Sequence, residues 1–136
     1  MNISVVWHEG LSFEGISPNS FRVPMGADVE LGGKNDGFRP MELILIGLAG
    51  CTGMDVISIA KKKQQQIKSF WVKIQAEREA EHPRVFNKIV IEYVFSGDNL
   101  DIHALERAVQ LSEEKYCPAQ AMLRKAVDIT HKITVE

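Results

Sequence analysis

From Pro40 to Ala60 the chain runs PMELILIGLAGCTGMDVISIA, with Glu42 and Asp55 its only charges, and then turns polar at Lys61, Lys62 and Lys63. The segment is too long for a strand. Pro40 suits the first turn of a helix, where its missing amide hydrogen is not needed. A long helix is therefore predicted over 40–66. It is apolar on most faces, so it must be buried at the centre of the fold or at an interface. Gly47, Gly50 and Gly53 each cost about 0.8–1 kcal/mol relative to alanine in a helix. Their recurrence at every third position predicts close approach by another backbone. The longest unbroken apolar stretch, Leu43 to Ala49, is short of a membrane span.

The flanking segments have a different period. Residues 1–27 read as an antiparallel meander of short strands, about Ile3 to Trp7, Leu11 to Gly15 and Ser20 to Pro24, with turns at His8-Glu9-Gly10 and Ser17-Pro18-Asn19. A Gly-, Asn- and Asp-rich loop follows over 28–39. Beyond the helix, residues 69–96 alternate as a hairpin, with Phe70, Val72 and Ile74 on one face and Trp71, Lys73 and Gln75 on the other. Asp101 is a plausible N-cap for the first of the helices over 101–125. A final strand occupies 127–135. With no visible βαβ alternation the class is α+β, and 136 residues suit one domain.

A net charge of −2 with interspersed signs argues against a nucleic-acid or anionic-membrane partner. The stretch KKKQQQIK reads as the solvated end of the helix. MNISVVWHEG lacks the basic and apolar regions of a secretory signal, so a soluble cytoplasmic protein is expected. In that compartment the two cysteines are more readily thiols than a permanent crosslink. His8, His82, His103 and His131 show no ligand spacing with either cysteine, and neither a metal nor a cofactor is implied. Phe38, Trp71 and Phe86 read first as core aromatics.

The cysteines carry the chemistry. Pro118 places Cys117 at a helix N-cap, where free amide hydrogens and the helix dipole favour a thiolate, so its pKa is expected below that of a free thiol. Cys51 lies inside the apolar helix with no cation nearby in sequence, where burial raises a thiol pKa. Asp55, one turn later, must be paired or hydrogen-bonded. Arg22 and Arg39 are its candidate partners.

The run PMELILIGLAGCTGMDVISI, followed by EEKYCP, resembles the OsmC/Ohr family, the osmotically inducible and organic-hydroperoxide-resistance proteins, and more closely its YhfA-like branch. The resemblance extends from Gly32-Gly33 through the last strand. It implies an OsmC-like α+β fold, with antiparallel sheets packed on a long, central, buried helix in an intertwined homodimer. It also implies reduction of organic hydroperoxides, with an external thiol or dithiol as reductant. The reactive cysteine falls on Cys51 and the resolving cysteine on Cys117. An arginine activates the first thiolate, and Arg22 or Arg39 would fill that role. A glutamate holds the arginine; counted back from Cys51 it falls on Met41, with Glu42 beside it. One residue turns a helical side chain by about 100°, so Glu42 serves only if the helix start is shifted.

Local electrostatics favours Cys117 as the thiolate, whereas the resemblance favours Cys51. Cys51 is preferred, because a nearby arginine outweighs a helix terminus worth about 0.3–1 kcal/mol. The expected chemistry is attack of the Cys51 thiolate on the peroxide, then condensation of the sulfenic acid with Cys117. The alternative is a non-catalytic protein of the same fold that binds a small apolar ligand.

Overall fold

The computed structural model describes residues 1–136 as two compact units, Met1–Ile46 and Gly47–Glu136. In the first, β1 (Ser4–Glu9), β2 (Ser12–Ile16) and β3 (Arg22–Met25) form the expected antiparallel meander. A 3-10 turn at Val29–Leu31 closes on Gly32, whose φ of 90° suits a residue without a Cβ. The loop then bridges back from Phe38 to Met25. This unit exposes much of its apolar surface: every residue of β1 is exposed, and Phe21 is 77% exposed.

Helix α1 (Pro40–Lys62) starts at the proline as expected. Glu42 caps it, its carboxylate accepting from the Arg39 amide at 2.7 Å. The helix stops before residue 66, at a turn where Gln64 has a φ of 59°, and the glutamines lead into a strand. Burial within the chain is also narrower than expected, being confined to Leu48, Thr52, Gly53, Val56 and Ala60. By length and a mean hydropathy of 2.0 over 18 residues α1 meets the requirement for a membrane span, contrary to the reading of Leu43–Ala49 alone. It nonetheless carries Thr52 and Asp55, both hydrogen-bonded to groups of the second unit. Of the three glycines, only Gly53 is closely packed. A Cβ there would meet the Val72 side chain at 3.3 Å and Phe70 at 3.8 Å, whereas Gly47 and Gly50 face open space.

The second unit contains a three-stranded sheet in the order β4-β5-β6. Strands β4 (Gln66–Arg78) and β5 (Phe86–Asp98) form the expected hairpin. Strand β6 (Asp128–Val135) corrects the all-antiparallel expectation, because it runs parallel to β5. A parallel neighbour needs a crossover. It is supplied by α2 (Ile102–Leu111), a π-helical turn at Ser112–Tyr116 and α3 (Pro118–Leu123). Asp101 caps α2 through the His103 amide. The core joins Ile89, Ile91, Tyr93 and Phe95 of β5 to Leu105, Ala108 and Val109 of α2. Phe86 belongs to it; Trp71 and Phe38 are exposed, Trp71 lying under the Lys73 ammonium instead.

Candidate functional site

Cys51 is half-buried on α1 and Cys117 is buried, and both are free thiols. The Cys51 side chain lies near enough to Cys117 to raise its pKa. Cys117 is the N-cap of α3, with Pro118 in the first turn, and its sulfur accepts from the Gln120 amide at 3.4 Å.

Beside the sulfurs lies a buried polar network. Asp55 accepts from the Ser112 hydroxyl at 3.0 Å. An ionised carboxylate only accepts, so the Ser112 proton is committed and Thr52 must donate to Ser112 across 2.8 Å. Thr52 therefore accepts from the Tyr93 hydroxyl at 2.7 Å. The Gln120 side-chain amide donates to Thr52 at 3.0 Å and to Tyr93 at 3.2 Å. Its carbonyl oxygen accepts from Arg124 at 2.7 Å, which orients the group. No buried side-chain polar atom is left without a partner, so this arrangement avoids the cost of orphaned polar groups. His131 lies edge-on to Tyr93 and pairs with Glu113 at 2.5 Å.

Two expectations are corrected. Asp55 finds a serine rather than an arginine. Burial first, and then the adjacent Cys51, push the Cys117 thiol up from 9.0 to about 11, while the capping Gln120 amide pulls only partly the other way. Desolvation outweighs a helix terminus of barely two turns. Cys117 is thus a protonated thiol at neutral pH, which removes the local argument for it as the nucleophile.

Burial likewise pushes Tyr93 up from 10.0 to about 12. The unfolded chain releases both protons at lower pH than the folded one. Their contribution to stability is therefore full below pH 9 and is lost as pH rises toward 11 and 12. Unfolding free energies from urea titrations are expected to fall across this range, by on the order of 2 kcal/mol for each group, and Tyr93→Phe should remove its share of the slope.

The remaining candidate residues belong to the first unit. Arg22 pairs with Glu14 at 2.5 Å. The Arg39 guanidinium is held by Asp28, Asn35 and the Gly37 carbonyl. Glu42 is occupied in capping α1.

The sequence profile of the family described as OsmC-like protein matches residues 33–132. The chain belongs to the OsmC-like family. Protein YhfA of Escherichia coli (strain K12) is 41% identical over 135 residues, which cover 99% of this chain and 98% of YhfA. A hypothetical protein from Aquifex aeolicus VF5 has a solved structure that matches with a TM-score of 0.83 at 30% identity, over 99% of this chain and 96% of that one. The organic hydroperoxide resistance protein OhrB of Bacillus subtilis shares the fold, with a TM-score of 0.64 at 20% identity and 98% of each chain covered.

The matched OsmC-like region contains Cys51, Cys117, Glu42 and Arg39; Arg22 lies outside it. The network of Thr52, Tyr93, Ser112 and Gln120 escaped sequence reasoning. Its one visible signal was Thr52, a polar residue within the apolar run. Along the C-terminal half of α1 the structure also has a cleft of about 590 Å³, walled by Met54, Ile59, Leu111 and Tyr116, with Asp55 and Ser58 also lining it and Lys62 and Lys63 at the end of the helix.

Proposed function

We propose that this OsmC-like protein is a cysteine-based peroxidase that reduces organic hydroperoxides and serves in oxidative-stress defence. The observation that carries the reading is the adjacency of the two free thiols, with Cys117 held protonated. Cys51 is the nucleophile: its thiolate attacks the outer peroxide oxygen, the O–O bond breaks, and the alkoxide leaves and takes a proton from solvent to become the alcohol. Cys51 becomes a sulfenic acid and is then attacked by the Cys117 sulfur. The S–O bond breaks, the S–S bond forms, and the Cys117 proton leaves with the hydroxyl as water. An external thiol or dithiol returns both cysteines to the reduced form. Family relationship supports the reading, since OhrB, a relative in fold, is named for organic hydroperoxide resistance.

The activating cation is assigned to Arg39, with Arg22 as the alternative, and Glu42 takes the part of the family's glutamate. Arg39 carries a ready anchor in Asp28. A homodimer accounts for apolar surface that one chain leaves open: β1, Phe21, and Ile46 and Met54 of α1 are all exposed, more than a small monomer sustains. The dimer is placed in the cytoplasm, where free thiols persist.

The deciding experiment treats the reduced protein with one equivalent of cumene hydroperoxide and maps its cysteines by mass spectrometry. A Cys51–Cys117 disulfide, formed with loss of the peroxide, is the expected result. Peroxide left intact, with both thiols still free, would overturn the reading. The cleft favours a second reading, a carrier of a small apolar ligand. In that case the protein retains such a ligand in native mass spectrometry, and Cys51→Ser leaves binding unchanged.

A further inference from the structure

We propose that Gln120 is a positioning residue that holds Cys51 and Cys117 in register for disulfide closure, an inference that rests on the redox reading of the pair. Thr52 follows Cys51 directly on α1, and Gln120 lies in the first turn of the helix capped by Cys117. The Gln120 main-chain amide donates to the Cys117 sulfur at 3.4 Å, while its side-chain amide donates to Thr52 at 3.0 Å. One fully buried residue therefore grips the surroundings of both sulfurs. Arg124 fixes the carboxamide so that its NH2 group faces Thr52 and Tyr93, and Tyr93 anchors the assembly to the central strand of the sheet.

The requirement behind this arrangement is geometric. A disulfide forms only when the Cβ atoms approach to about 3.5–4.5 Å with a dihedral near ±90°. Cys51 lies on a regular helix, but Cys117 follows a π-helical turn, where the backbone departs from α geometry. Ser112 ties the π-helical turn to Thr52 and Asp55 of α1, and Gln120 adds the directional tie from α3 itself. A leucine or methionine in place of Gln120 would fill similar volume with no polar group to satisfy. Glutamine adds direction: two donors and one acceptor, all engaged. In the closing step the Cys117 sulfur must meet the Cys51 sulfenic sulfur from the side opposite the departing hydroxyl, and the clamp limits the approach to that line.

The test uses Gln120→Met, which keeps the volume and the main-chain bond to Cys117 but removes the side-chain hydrogen bonds, with Thr52→Val and Thr52→Ser as a second pair. After a pulse of cumene hydroperoxide, dimedone captures the Cys51 sulfenic acid, and mass spectrometry follows both its formation and its conversion to disulfide. Closure in Gln120→Met is expected to slow about tenfold more than formation of the sulfenic acid, as the loss of the bond that ties α3 to Thr52 implies. Thr52→Val should behave likewise, and Thr52→Ser, which keeps the hydroxyl, should close like the wild type. Equal slowing of both steps, or wild-type closure in Gln120→Met, overturns the proposal. Should Gln120→Met fail to fold, the Val and Ser variants at Thr52 decide it by the same criterion.

Equilibration with glutathione redox buffers separates this proposal from the peroxidase reading. The stability of the Cys51–Cys117 disulfide is expected to fall about tenfold in Gln120→Met, whether or not the wild type consumes peroxide. A wild type that consumes no peroxide, together with this fall in Gln120→Met, refutes the peroxidase reading and supports the clamp. A wild type that forms no such disulfide in any buffer overturns the clamp.

Discussion

Cys51→Ser is expected to lower cumene hydroperoxide consumption by more than about a hundredfold, because a hydroxyl cannot replace a thiolate as the attacking group at neutral pH. Cys117→Ser is expected to behave differently. Its thiol is held protonated, at about 11, by burial and by the neighbouring Cys51, so it contributes little to the first attack. One equivalent of peroxide should still be consumed, and the Cys51 sulfenic acid should persist for capture by dimedone. Serine also preserves the N-cap at this position, so the variant tests chemistry rather than folding. Stopped-flow consumption of peroxide by the two variants separates the roles. Loss of the first turnover in Cys117→Ser, with activity retained in Cys51→Ser, would reverse the assignment of nucleophile and resolving thiol.

Phe95→Ala is expected to cost about 3–5 kcal/mol of stability, a fall in Tm on the order of 10 °C. Phe95 is fully buried on the central strand and stacks on Phe70 with ring centroids 4.7 Å apart. Phe70 in turn lies against Gly53, the tightly packed glycine of α1. Removing the ring leaves a cavity between sheet and helix that neither can close. Phe21→Ala, at an exposed ring, should change the thermal midpoint of a single chain by far less. Differential scanning calorimetry of the two variants makes the comparison.

Much of the local structure was legible in the residues. Pro40 marked the start of α1, Asp101 capped α2, and alternation along Phe70 to Gln75 separated the two faces of β4. Each is a short-range effect, in which side chain and backbone meet within one turn or one pleat. The helix end was misplaced because Gln64 to Gln66 favour no single structure locally; the hairpin's pairing, extending to Gln66 and Asp98, draws Gln66 into a strand, with Gln64 in the turn before it. The direction of β6 was likewise hidden. Its alternation is the same whether it pairs parallel or antiparallel, and only the crossover through α2 and α3 decides.

The candidate site divides in the same way. The two thiols, the Cys-Pro cap and the membership in the OsmC-like family follow from the residues alone, because identity, spacing and resemblance are properties of the chain. Tertiary structure alone decided the protonation of Cys117, since a thiol's pKa depends on the desolvation and neighbouring sulfur supplied by folding rather than on its own helix end. It alone paired Asp55 with Ser112 and joined Thr52, Tyr93 and Gln120 into one network. Those partners are far apart in sequence, and each hydrogen bond has a direction that exists only once α1, β5 and α3 have packed together.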